Sequence, residues 1–262
     1  MTEAVRGTVH AHSKNSYDGR LTYPELRDFL SGRGLSFVCI TEHVERLTQA
    51  DVDRIVDGCR AHSDGHFVFV PGIEMDCFTI YFLGLDRVRV DFASDRSVFD
   101  SLRAAARLCV CAHPIKANYD YPAWVIERCD GVEVVNTKYD GHHLPRRAGE
   151  RFYERVRAAR PKAVALAGMD FHERADFSPI HIRLTRTGAL TEAFVLDCLT
   201  EGAFALYKGD RPLADFSPME RAAAQARIGF MDLSHAVHRR LTAGGFRMPK
   251  GVKRALRRWM EG

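Results

Sequence analysis

The stretch GTVHAHSKNSYD, residues 7–18, is where the fold can first be read. Residues 7–12 form a short β-like run that ends in two histidines, and the polar NSYDG that follows reads as a turn. On a strand, His10 and His12 share a face, about 6.5 to 7 Å apart along the backbone. The same plan recurs along the chain. SFVCIT (36–41), HFVFVPGIE (66–74), TIYFLG (79–84), LCVCAH (108–113), GVEVVN (131–136), AVALAG (163–168), IHIRLT (180–185) and FALY (204–207) all read as strands. Helical patterns over 23–33, 48–62, 95–107, 121–129, 146–159 and 191–201 separate most of them, with Thr22, Thr48 and Thr191 placed to cap. This alternation predicts an α/β fold with largely parallel strands.

Polar residues collect where these strands end: His10 and His12, His43, Glu74, His113, Asn136, then Asp170 with His172. In α/β barrels the carboxyl ends of distant strands meet at one face, and active sites are built there. A structural histidine has no reason to prefer that end. A shared metal centre does.

Composition narrows the setting. With 262 residues, 46% hydrophobic and 27% charged, the chain can bury a full core, and no apolar run approaches the roughly 20 residues that cross a bilayer. The N-terminal MTEAVRGTVHAH lacks the pattern of a secretory signal, so a cytoplasmic protein without a membrane partner is expected. Seven scattered cysteines, an odd number with no CxxC pair, argue against a disulfide framework or a thiolate zinc site. Cys109 and Cys111 alternate and are expected to pack on one strand face. Of 38 Lys and Arg and 34 Asp and Glu, residues 217–262 hold ten and three, leaving 28 and 31 for residues 1–216. The body is slightly acidic and the tail basic. Residues 1–215 are therefore expected to form the catalytic domain, and 216–262 a basic extension of two helices separated by Gly244 and Gly245.

A lone HxH pair, or one Glu after a strand, is usually an ordinary core or surface feature. Several strand ends offering imidazole or carboxylate together point to metal. A mixed nitrogen and oxygen set suits Zn²⁺, Mn²⁺ or Fe²⁺ rather than Ca²⁺. Asp18, in the turn, is placed to fold back over the strand end, and Glu74 is able to bridge two ions.

The ordered series HAHSKNSYDG, ITEH, PGIE, CAHP, GVEVVN and GMDFH closely resembles the PHP family, the polymerase and histidinol phosphatase superfamily, over about residues 7–207. The resemblance implies a distorted (β/α)7 barrel with a C-terminal helical extension, and two or three divalent ions that hydrolyse phosphate esters. Carried over by motif, His10 and His12 would hold one ion with Glu74 and Asp170. Glu74 and His113 would help hold a second, and Asp18, His43 and His172 a third, with Glu74, Asp170 and His172 central to catalysis. Three positions depart from the family pattern: Glu42 replaces the usual Asp before the second-strand histidine, Tyr81 stands where a ligating histidine often occurs, and Met169 replaces a common Ser. Of these, Tyr81 weakens the expectation of a fully occupied middle site.

Clustered divalent ions activate water and neutralise phosphoryl oxygens, so in-line attack on a small phosphomonoester without a covalent enzyme intermediate is expected. Arg20, Lys116, Lys138 and Arg174 lie near the motifs and are candidates for the phosphate, since Arg offers a fork and Lys a point charge. His142 and His143 fall in a loop able to overhang the site, Asn136 suits either a ligand contact or a strand-end turn, and Glu133 reads as structural. Two rival readings remain. The basic tail suits a nuclease or phosphodiesterase acting on nucleic acid, although the acidic body lacks a basic and aromatic strand-binding run. Tyr81 alone favours a metal-binding regulatory module without catalysis.

Overall fold

The computed structural model describes residues 4–140 and 144–243. From the amino end, β1 (Arg6–Ala11), α1 (Tyr23–Ser31), β2 (Phe37–Ile40), β3 (Glu42–His43) and α2 (Gln49–Ala61) lead to β4 (Val68–Val70), β5 (Gly72–Met75) and β6 (Ile80–Leu83). Then follow α3 (Asp95–Ala105), β7 (Leu108–Cys111), α4 (Ala123–Ile126), β8 (Gly131–Asn136), α5 (Thr137–Asp140), α6 (Arg147–Ala159) and β9 (Val164–Phe171). The described chain closes with β10 (Ile180–Leu184), α7 (Glu192–Glu201), β11 (Phe204–Lys208), β12 (Arg211–Pro212) and the long α8 (Pro218–Ala243).

Local sequence explains the helix starts. Thr22 and Glu25 bond reciprocally across the first turn of α1, as Thr48 and Asp51 do at α2, satisfying amide donors that would otherwise lack partners. Thr191 caps α7, and Gly202 ends it in the left-handed region. The expected helix over 121–129 shrinks to the single turn of α4. The second tail helix and the pair His142 and His143 lie outside the described residues.

All twelve strands join one mixed sheet. Hydrogen-bonded neighbours run β12, β11, β10, β1, β9, β8, β7, β6, β5, β3, while β2 pairs with both β1 and β4. The sheet is less parallel than the alternation suggested. β6 runs antiparallel to β5 and β7 because only residues 76–79 link β5 to β6, too few for a crossover, and β10, β11 and β12 pair antiparallel in turn, with α7 between the first two. The single strand expected over 66–74 breaks at Pro71, which has no N–H for the ladder.

Alternation along the strands sorts the core. Val9, Phe37, Cys39, Val68, Val70, Tyr81, Leu83, Leu108, Val110 and Leu166 fill one apolar cluster, sealed by Val195 and Leu199 of α7. Their sequence neighbours Val38, Ile40, Phe69, Ile80, Phe82, Cys109 and Cys111 face the other way, into clusters completed by α1, α2, α3 and α6. Cys109 and Cys111 do share a face, and Cys129 lies beside both at 3.8 and 3.3 Å between sulfurs. The helix α8 is tied down at Arg146, which is buried between Asp140 and Asp232, and by Gln225 donating to the Pro145 carbonyl at 2.7 Å.

Candidate metal centre

Three strand ends leave the extended conformation at a residue of the centre. His10 (φ 65°), His113 (φ 26°) and Asp170 (φ 50°) are left-handed, a conformation L-residues seldom adopt without compensation. At His10 this breaks the regular pleat, and the β1–β9 register shifts between Val9 and Ala11. His10 and His12 therefore reach the same space through a bulged strand rather than through simple alternation.

Glu74, fully buried at the end of β5, is the hub. One carboxylate oxygen lies 2.8 Å from His113 Nε2, and the other lies 3.1 Å from His10 Nε2, 3.3 Å from His12 Nε2 and 3.5 Å from His43 Nδ1. Asp170 Oδ1 sits 3.5 Å from the Nε2 atoms of both His10 and His12. Toward the surface, Asp18 Oδ2 meets His172 Nε2 at 3.0 Å and His43 Nε2 at 3.4 Å. His12 stacks between His43 and His172, with ring centroids 4.4 and 4.2 Å away. All eight residues expected as ligands thus converge. Their donor atoms fall into groups whose members lie within 4.8 Å of one another: His10 with Glu74 and His113, His10 with His12 and Asp170, and His12 with Asp18, His43 and His172.

The loop carrying Asp18 is held from below. The carboxylate of Glu42 accepts from the Ser13 N–H at 3.1 Å and from the Ser13 hydroxyl, and Ser16 Oγ accepts the His43 N–H at 3.0 Å. Glu42, unlike the histidine after it, faces this loop. Burial raises its pKa, which the nearby His12 and the Ser13 and Ser16 contacts only partly offset.

Electrostatics set the centre's character. Burial opposes charge on Glu74 and Asp170, yet the histidines around Glu74 hold its carboxyl well below the usual range, and His10 and His12 do the same for Asp170. Burial pulls the His10 pKa down, but Glu133, Glu74 and Asp170 outweigh it and the net shift is upward. Burial likewise lowers His12, while Asp170 and Glu74 bring it to about 9. Two ionised carboxylates buried among imidazoles form a site that requires cations. The buried His12 Nε2, Asp18 Oδ1, His43 Nδ1 and His113 Nδ1 lack hydrogen-bond partners. These observations fit divalent metal.

The basic candidates divide. Lys138 Nζ stands 3.0 Å from His172 Nδ1 and 3.8 Å from Asp170 Oδ1, at the edge of the centre. Lys116 Nζ pairs with Asp76 Oδ1 at 3.4 Å and lies near the Tyr139 ring. Arg20 is exposed and reaches the site only through its N–H, which donates to the His172 carbonyl at 2.9 Å. Arg174 turns toward the Phe29 ring instead. Asn136 is engaged in the fold, donating to Glu133 and to Asp140 and accepting from the Lys138 N–H. Sequence reasoning passed over Asp76, whose Oδ2 lies 3.4 Å from His43 Nδ1 and forms a further group with His43 and Glu74. Its i, i+2 spacing from Glu74 was the available signal.

No family model matches the sequence, and no curated protein matches it. Solved structures do. A two-domain protein from Bacteroides vulgatus, described as containing a predicted PHP-like metal-dependent phosphoesterase, superposes with a TM-score of 0.55 at 16% identity, over 78% of this chain and 65% of that one. The fold is PHP-like. The chain thus spans just under two thirds of that structure's length. PsfC from Pseudomonas syringae also matches, with a TM-score of 0.51 at 14% identity, over 89% of this chain and 98% of its own. In this PHP-like fold the departure at Tyr81 is fully internal: the side chain is buried, opposite Glu74 in the β5–β6 ladder, with its ring 5.0 Å from that of His10. Among the described residues, no helix is long and apolar enough to cross a membrane.

Proposed function

We propose that the chain is a metal-dependent hydrolase of phosphate esters acting on small phosphomonoesters. The observation that carries this reading is the convergence of five imidazoles and four carboxylates from separate strand ends and loops into overlapping groups of metal-ligand size. The sheet supports a distorted barrel of seven β/α units: β1, β2, β4 and then β5 through β9 back to β1 form a circuit interrupted only at Pro71.

Two or three Zn²⁺, Mn²⁺ or Fe²⁺ ions suit the donor set. His10, His12, Glu74 and Asp170 would hold one, Glu74 and His113 part of a second, and Asp18, His43 and His172 a third. Such ions supply Lewis acidity, which acidifies water and offsets charge on phosphoryl oxygens. The protein's own part is positioning: Glu74 and Asp170 fix the imidazoles, and Lys138 supplies a cation at the edge where a phosphate would approach. A panel of phosphomonoesters and phosphodiesters assayed with each metal, alongside metal analysis, tests the proposal. Monoester turnover that disappears with a chelator is expected. Bound ions with no turnover of any phosphate would overturn it.

A further inference from the structure

Glu133 lies outside every group of candidate ligands, yet it is among the most buried charged residues of the molecule. Its Oε1 is 2.8 Å from His10 Nδ1. Its Oε2 accepts the His113 backbone N–H at 2.7 Å and Asn136 Nδ2 at 2.9 Å. The fit is close enough that a Cβ on Gly168 would meet Oε1 at 1.7 Å, so the neighbouring strand must carry glycine there. The β8 register shifts between Glu133 and Val135, beside this contact.

We propose that Glu133 is a positioning residue that holds the Nδ1–H of His10 and so aims Nε2 at the space beside Glu74 and Asp170, where it can ligate an ion that displaces its proton. The proposal rests on reading the centre as a metal site. A carboxylate oxygen accepts and does not donate, so Nδ1 must carry the hydrogen. An imidazole held in this way presents one ring nitrogen, in one orientation, to an ion. The same carboxylate holds the His113 N–H, so Glu133 ties together two of the three left-handed strand ends.

Glu133→Gln separates this role from mere packing. The amide nitrogen cannot occupy the Oε2 position, where two donors already point. Placed at Oε1 it becomes a donor, and His10 Nδ1 must then accept. Every hydrogen bond is kept, but the His10 proton moves to Nε2, facing Glu74 and blocking ligation. The test uses the full chain, with Zn²⁺ titrated against a chromophoric chelator and the His10 ring followed by ¹H–¹⁵N spectra. Wild type is expected to show a hydrogen-bonded Nδ1–H with and without Zn²⁺. E133Q is expected to unfold at a similar denaturant midpoint, lose the Nδ1–H and bind one ion about 10–100-fold more weakly. Undiminished ion count and affinity in E133Q, or a wild type without the Nδ1–H, would overturn the proposal. Should wild type bind no divalent ion, the metal reading fails, while the Nδ1–H signal still decides what Glu133 does. That signal also decides the matter if E133Q does not fold.

Discussion

The inner and outer parts of the centre are built from the same residue types and differ in almost everything else. Inside, His10, Glu74 and His113 have side chains no more than 2% exposed, each bonded to another buried group. Outside, the Asp18 side chain is 34% exposed on a loop, and it pairs with His172 and His43. Burial and the proximity of His12 lower the pKa of both His43 and His172, whereas His10 and His12 are raised. The inner part is therefore an anionic site occupied by protons until an ion replaces them. The outer part offers neutral imidazoles at neutral pH. One array of histidines thus holds two kinds of site, distinguished by how many carboxylates are buried with them.

The strongest way to break this contrast is to remove one carboxylate from each part. Glu74→Ala takes away the partner of four imidazoles, and breaking a buried ion pair on one side costs about 3–5 kcal/mol. The variant is expected to unfold at much lower denaturant, to lose the inner ions and to show only background hydrolysis. Asp18→Ala removes a partly exposed group from a loop, where such pairs contribute about 0–1 kcal/mol. It is expected to keep its stability and to lose one ion. Denaturant unfolding and metal content per chain measure both. Equal effects of the two substitutions would erase the distinction.

Both parts could be read from the sequence. HAH, PGIE and CAHP mark His10, His12, Glu74 and His113, as NSYDG, ITEH and MDFH mark Asp18, His43, Asp170 and His172, because turn residues and strand ends are local signals. The α/β alternation was equally legible, and with it the strand ends that carry the site. Three things were not. The short link after Met75 reverses β6, a consequence of loop length that apolar patterning does not encode. Glu133 looked like one more alternating strand residue, and its role depends on His10, 123 positions away. The left-handed turns at His10, His113 and Asp170 fall on residue types that tolerate this region better than most but still enter it rarely, so sequence alone did not mark them. Asp76 left a faint signal in its spacing from Glu74, but nothing local indicated that it would face His43.

Proton competition gives a smaller but sharper test. His12 has a folded pKa of about 9 against an ordinary 6.5. In metal-free protein, the stability from its protonation is fully present below pH 6.5 and is lost as pH rises through 9. Ligation needs the neutral ring, so inner-ion affinity is expected to climb across that same window. The lowered His43 and His172 are already neutral there, and outer-ion affinity should stay nearly flat above pH 6.5. Zn²⁺ titrations of wild type and of Asp18→Ala at pH 6.5, 7.5 and 8.5 separate the two parts. A variant lacking the outer ion but showing a flat profile would contradict the assignment of proton load to the inner part.

Tyr81 tests the inner part most finely. It lies against His10, and the question is whether its hydroxyl replaces the imidazole that PHP-family sequences often carry there. Burial, with Glu133 nearby, pushes the phenol well above its usual pKa, so ligation through a phenolate is disfavoured. The hydroxyl makes no well-aligned hydrogen bond, although Glu133 lies close to it, and a poorly partnered buried hydroxyl destabilises by up to about 1–3 kcal/mol. Tyr81→Phe should therefore leave ion count and affinity unchanged and raise the unfolding midpoint slightly, since the ring that packs on His10 remains. Loss of an ion in Tyr81→Phe would mean that the phenol is itself a ligand, and that the inner part has a donor set different from the one its histidines and carboxylates define.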